Sequence, residues 1–303
     1  MRRTGILAVL LALGLGMSGC SQPGTPEKPQ VVVTTNILGD VTKEVLGDQV
    51  DVTTLMQPNA DPHSFEISAQ QAALMGSADL VVSNGLGLEE GLQQHLDRAG
   101  KAGAPVLAAG EVIAVVPYSS GDAEGAPDPH FWTDPAAMID VVDAVEAAGR
   151  DIEGIDPKRL ASSAAAYRDK LHQLDSEMTG AFAGIPKERR ALVTNHHVFG
   201  YLAKRFDFQV VGAIIPGGTT LAAPSAADLR QLSESIRGAG VRTIFADSSQ
   251  PDRLVQVLAS EAGVNVEVAQ LFTESLTGPD GGAPTYLDMM RANTERIVTG
   301  LAP

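Results

Sequence analysis

A single cysteine, Cys20, occurs in the 303 residues of the chain. That excludes an internal disulfide and any zinc site built on several thiolates. Long apolar runs are missing too, since the run from about Ile6 to Leu15 falls well short of the roughly 20 residues that cross a bilayer as a helix. Basic residues are outnumbered by acidic ones, 22 against 37, for a net charge of -15. No basic patch stands out, which excludes nucleic acid as a partner, while an acidic surface aids solubility and mildly favours nearby cations. Nor does any His-Glu-x-x-His segment occur, the helical signature of one class of zinc peptidases.

The amino end reads as a secretory signal. Met1-Arg2-Arg3 is basic, the short apolar run follows, and Met17-Ser18-Gly19-Cys20 closes it as a lipobox. Residues 1–19 are therefore expected to be a lipoprotein signal peptide, and Cys20 the site of lipidation. Residues 20–30 are polar and Pro-rich, the composition of a tether. The rest of the chain exceeds one average domain and fits two.

Six histidines remain to be placed. Two of them follow the same dipeptide, in Asp61-Pro62-His63 and Asp128-Pro129-His130. Proline fixes its own φ and pushes the preceding Asp into extended geometry, so each imidazole sits on a stiff loop. Such a loop suits a metal ligand, and Asp61 and Asp128 are candidates for holding the second ring nitrogen. His95 and His172 fall off the apolar faces of their helices and read as solvated. His196 and His197 are consecutive, at the end of a strand and the expected start of a helix. Neighbouring side chains there diverge by roughly 100°, so only one of the two points easily into a site. A helix amino end would favour the neutral imidazole.

Short apolar runs alternate with helical segments throughout. Strands are predicted at Val31 to Val33, Val52 to Met56, Leu80 to Ser83 and Pro105 to Ala108, with helices near Val41 to Leu46, Ser68 to Met75 and Leu88 to Leu96. After Pro135 a helix runs to about Arg150, and Asp156-Pro157 begins a longer one. Leu160, Ala164, Tyr167, Leu171, Leu174, Met178 and Phe182 form one apolar stripe along it. The α/β rhythm then repeats: strands at Ala191 to Thr194, Phe208 to Ile215, Val241 to Ala246 and Val264 to Val268, with helices from His197, from Ser225 to Ile236, from Pro251 and from Tyr286 to Leu301. The expected fold is α/β, with two lobes of mainly parallel sheet over 31–156 and 185–303, joined by a long linker helix over 157–184. Ligand loops belong at the carboxyl ends of such strands.

Taken in order, the lipobox, DPHSFE, DPHFWTDP, TNHHVFGYLAKRF, LFTESL and TYLDMMRANTERI resemble the metal-binding lipoproteins of ATP-driven zinc and manganese importers, the cluster A-I solute receptors. The resemblance implies one metal ion between the lobes, with His63, His130 and His196 as nitrogen ligands. It implies Glu274 at the fourth position, where the family more often has Asp. The longer arm admits bidentate coordination, or Asp280 as a substitute. His197 stands where the family usually has Asp, so no supporting role carries over to it, and an acidic stretch from Ser119 to Pro127 replaces the histidine-rich loop of many zinc receptors. Three imidazoles and one carboxylate suit Zn2+, with Mn2+ as the alternative. The implied partner is an ABC transporter permease, served by a monomer anchored through its lipid at the extracytoplasmic face of the cell membrane.

Two other classes fit the residues. A secreted zinc hydrolase would use Glu66 as general base, but a carboxylate in the fourth position leaves water little room. In a surface adhesin the ion would be structural, and a chelator would then partly unfold the protein. Under the receptor reading, the long helix is a stiff hinge. Loading orders the loops around Asp61 to Glu66 and Leu271 to Asp280, and the latter is freed first if Glu274 is removed, since one carboxylate ties it to the ion.

Overall fold

The computed structural model describes residues 28–215, 217–249, 253–261 and 267–302. Cys20 and the signal segment lie outside them. In the first lobe β1 (Gln30–Val33), α1 (Asn36–Leu46), β2 (Asp51–Thr54), α2 (Ala69–Gly76), β3 (Leu80–Ser83), α3 (Gln93–Ala102), β4 (Val106–Ala108) and α4 (Pro135–Gly149) follow in order. α5 (Pro157–Ala183) leads into β5 (Ala191–Thr194), α6 (Gly200–Phe206), β6 (Gln209–Ala213), α7 (Ala226–Ala239), β7 (Thr243–Asp247), α8 (Arg253–Glu261), β8 (Glu267–Leu271) and α9 (Tyr286–Leu301).

Each lobe holds a four-stranded parallel sheet, ordered β2-β1-β3-β4 in the first and β6-β5-β7-β8 in the second. The order reverses beside β1 and beside β5, and such switch points open crevices at the carboxyl ends of the strands. Local chemistry fixes where the helices begin. Asp134 and Asp156 cap α4 and α5 through the amides of Ala136 and Lys158, both at 2.8 Å, and Pro135 and Pro157 occupy the first helical positions. Proline there gives up an amide that would have no partner in the helix anyway.

The buried residues of α5 are the seven of the predicted stripe. Over 27 residues the helix runs about 40 Å at 1.5 Å per residue. It packs on α4 and α1 from the first lobe and on α9 from the second. The largest core is accordingly continuous from Val31 through Tyr167 to Leu301. Two smaller clusters lie apart from it, one around Val32, Met75 and Leu96, the other around Val193, Ile236 and Val255.

Several boundaries differ from expectation. Gln30, placed in the tether by composition, pairs with Asp51 as the first residue of β1. α3 starts at Gln93 rather than Leu88, because the buried Glu89 carboxylate holds the preceding turn through the amides of Asn84 and Gly85 and the hydroxyl of Thr34. α6 starts at Gly200 rather than His197. β8 is Glu267–Leu271, later than the predicted Val264 to Val268, part of which lies outside the described residues, as does Pro251.

A fully buried leucine on a helix shared by both lobes should cost much to truncate. Leu171→Ala is expected to lower stability by about 2–5 kcal/mol, read from the urea midpoint. A loss below about 1 kcal/mol would show that the stripe does not hold the lobes together.

Candidate metal centre

Four loops bring one side chain each to the gap between the two sheets. His63 follows β2, and its turn is folded by Asp61, whose Oδ1 accepts from the His63 amide at 2.9 Å. The other Asp61 oxygen accepts from Ser64 Oγ at 3.1 Å and, across the lobes, from Thr220 Oγ1 at 2.6 Å. Asp61 thus shapes the loop without orienting the ring, for His63 Nδ1 has no hydrogen-bond partner. The second Asp-Pro-His behaves differently. Asp128 Oδ1 lies 2.9 Å from the His130 amide and 2.7 Å from His130 Nδ1. A carboxylate so placed keeps the proton on Nδ1 and aims Nε2 inward.

His196 lies in the loop between β5 and α6. Asn195 spends both of its carbonyls on neighbouring segments, accepting from Ile215 N through the main chain and from Asp247 N through its side chain. Thr194 Oγ1 donates to the His196 carbonyl at 2.6 Å. The helix begins only at Gly200, so neither histidine stands at its first turn. His196 turns fully inward, whereas His197 packs edge-on to Tyr118 with ring centroids 6.2 Å apart. Burial, then the charge of His196, pushes the His197 imidazole down toward its neutral form.

The fourth side chain is Glu274, three residues beyond β8. Its Oε1 is 3.0 Å from His63 Nε2, 3.2 Å from His130 Nε2 and 3.1 Å from His196 Nε2, and His63 Nε2 and His130 Nε2 are 3.4 Å apart. Donors about 2.0–2.1 Å from a tetrahedral ion stand about 3.3–3.4 Å from one another. The four separations just given are close to that edge length, and the four donor atoms all lie within 4.8 Å of one another. All four residues are buried. Among the described residues Glu274 Oε2 and both ring nitrogens of His196 make no hydrogen bond, His196 Nε2 being close to Glu274 without donating to it.

The charges are interdependent. Burial alone would raise the Glu274 carboxyl, but the charge of His196 and the close imidazoles of His130, His196 and His63 hold it well below the usual range. Burial alone would likewise lower His130, yet Asp128 and Glu274 carry it up to about 9. Nearby Asp247, at the end of β7, is pushed up to about 6 by burial and by the charge of Glu274, and accepts from Ser249 N and Oγ. It stands outside the group of four, as do the exposed Glu66 and Asp280. His172 is exposed and His95 half-buried on α3, both away from the site.

The loop that carries Glu274 has more than one tie. Trp132 donates its indole N–H to the Thr273 carbonyl at 2.8 Å, Tyr286 Oη donates to the Trp132 carbonyl at 2.7 Å, and Asn59 N donates to the Leu276 carbonyl at 2.9 Å. Two of these bonds fasten the segment itself to the first lobe, at points besides the Glu274 carboxylate. Sequence reading also missed Gly200 and Tyr118. A Cβ at Gly200 would lie 2.4 Å from Asp128 Oδ2, so a side chain there would displace the carboxylate that orients His130. Tyr118 covers the site from the first lobe, donating to the Gly218 carbonyl of the second at 3.1 Å. A glycine shortly beyond a histidine pair is a faint signal of close approach, and Tyr118 carries none.

Comparison with known proteins gives concordant results. The family model described as zinc-uptake complex component A, periplasmic (ZnuA), matches residues 31–300. The manganese ABC transporter substrate-binding lipoprotein PsaA of Streptococcus pneumoniae is 28% identical over 308 residues, 98% of this chain and 97% of that one. The zinc-binding protein TroA of Treponema pallidum is 31% identical over the whole of both chains. Its solved structure superposes with a TM-score of 0.83 and 29% identity, covering 91% of this chain and all of that one. A Mn-bound periplasmic metal binding protein of Candidatus Liberibacter asiaticus gives a TM-score of 0.80 at 26% identity over 90% of this chain and all of that one. The match to the family model runs from β1 into the last turn of α9 and takes in both sheets, α5 and all four converging loops, so this chain belongs to the ZnuA family of periplasmic metal-uptake components.

Proposed function

We propose that the protein is an extracytoplasmic receptor that captures one Zn2+ through His63, His130, His196 and Glu274 and delivers it to an ABC-type importer. The observation that carries the reading is the convergence of three buried imidazole Nε2 atoms on one carboxylate oxygen within 3.2 Å. That donor set suits Zn2+ better than Mn2+, which prefers more oxygen. A receptor role is supported by the names of the relatives, which bind metal or serve ABC transporters. No turnover is expected, because Glu274 takes the position that a catalytic zinc keeps for water, and Glu66 is exposed away from the site. The lipobox supports a lipid anchor on Cys20 and a place at the outer face of the cytoplasmic membrane, within reach of the permease. Manganese has one observation in its favour: the unpartnered Glu274 Oε2 could supply a fifth donor.

The metal is decided by mass analysis of protein purified from cells supplied with both ions: zinc at one per chain is expected, and manganese at one per chain would replace it in this reading. Substituting Ala for His63, His130 or His196 should weaken zinc binding at least about a hundredfold by competition titration, since each removes one donor of four. His95→Ala and His172→Ala should leave it unchanged. Equal losses at His172 and His130 would refute the ligand assignment.

His130 also sets a pH dependence. Its folded value of about 9 lies above the ordinary 6.5, so its contribution to apo stability is full below pH 6.5 and disappears as pH rises through 9. That difference is worth about 3 kcal/mol at 1.36 kcal/mol per unit. Zinc must displace the proton on Nε2, so affinity should rise by about tenfold per pH unit from 7 to 9 and level off above. An affinity that stays flat over that span would rule out a protonated His130 in the apo protein.

Membrane attachment is tested separately. Cys20→Ala should shift the protein from the membrane fraction to the soluble fraction, and a mutant still sedimenting with membranes like wild type would rule out the lipid anchor.

A further inference from the structure

We propose that Asn36 is a positioning residue for Glu274, fixing the carboxylate donor to the first lobe although it comes from the second half of the chain; the inference rests on reading Glu274 as a metal ligand. Among the described residues the Glu274 carboxylate has only three imidazole nitrogens within 3.2 Å, all at Oε1, and its Oε2 has no hydrogen-bond partner. Its place is therefore set by the main chain on either side. Two asparagines clasp that chain. On the amino side Asn293 of α9 accepts from the Phe272 amide at 2.8 Å and donates to the Phe272 carbonyl at 2.7 Å, a tie within the second lobe. On the carboxyl side Asn36, the first residue of α1, accepts from the Leu276 amide at 2.9 Å and donates to Ser275 Oγ at 2.8 Å. This tie crosses between the lobes.

Asn36 is itself held firmly. It is 8% exposed, Thr35 caps the helix that it begins, and its amide also donates to the Gln57 carbonyl at 3.2 Å, on the strand-end segment that leads to His63. A side-chain amide offers a donor and an acceptor on one planar group, which neither an apolar isostere nor alanine can do. The consequence concerns how the site assembles. His63 and His130 belong to the first lobe, and Asn36 together with Trp132 adds Glu274 to the same body. Three of the four donors are thereby fixed to one body.

The test is a double-mutant cycle read by zinc competition, supported by the visible spectrum of the Co2+-loaded protein. Asn36→Leu keeps the volume of the side chain and removes its hydrogen bonds to Leu276 N, Ser275 Oγ and the Gln57 carbonyl, and it should weaken zinc binding by about 10–100-fold, the range found for residues that orient metal ligands. Asn36→Asp keeps the acceptor for Leu276 N and lets Ser275 donate in return, so its loss should stay below about tenfold. In a Glu274→Ala background Asn36→Leu should change affinity by less than about threefold, because the residue through which it acts is gone. The Co2+ bands should shift in Asn36→Leu and stay near wild type in Asn36→Asp. Equal losses from Asn36→Leu in both backgrounds would reduce Asn36 to general packing, and no loss in either would remove it from the site. Should Asn36→Leu fail to fold, the cycle is run with Asn36→Ala, which also removes the clasp, and a Co2+ spectrum and zinc affinity identical to wild type would count against the inference. If Glu274→Ala alone leaves zinc affinity unchanged, the ligand reading itself fails, and that outcome is distinct from a failure of Asn36.

Discussion

One buried oxygen, Glu274 Oε1, sets the terms for the whole centre. A carboxylate deprived of water is tolerated only with a cation beside it, and the partners supplied here are three imidazoles within 3.2 Å. In the apo protein the compensating charge is a proton, which Asp128 and Glu274 together hold on His130. Under the proposed function, metal loading would exchange that proton for an ion at the same carboxylate oxygen.

The surrounding architecture serves that oxygen. Two sheets of the same strand order present their carboxyl ends to a common gap, which is how residues as far apart in the chain as His63 and Glu274 come into contact. The largest core does not respect the division into lobes, since it runs through α5 and α9 from one sheet to the other. What remains separate is the outer layer of the second sheet, packed around Val193, Ile236 and Val255.

How far this could be read from residues alone follows the range of the interactions. The stripe on α5 was legible because turn after turn repeats one pattern, and a sum over many weak preferences is hard to disguise. The two Asp-Pro-His turns were legible because proline acts on its immediate neighbours. His196 and His197 could not be separated by their own sequence: the choice is made by Asn195, whose partners are Ile215, two residues beyond β6, and Asp247, the last residue of β7. The same loop explains the misplaced start of α6, for Val198 and Phe199 continue an apolar periodicity that the tertiary bonds interrupt. Glu274 carries no local signal at all and came only through resemblance to a family. Asn36, 239 residues from its partner Ser275, is further still from anything that periodicity or turn chemistry reports.

The position of Trp132 has an optical consequence. It is the only tryptophan in the chain, it is buried, its ring stands edge-on to His130 at 5.3 Å, and its N–H is bonded to the residue before Glu274. Light absorbed at the red edge of the aromatic band is thus taken up at one place, between two of the four converging side chains. A protonated imidazole quenches indole emission by drawing off the excited electron, and a neutral one does so far less. Indole emission from this one site is therefore expected to report on the protonation of His130.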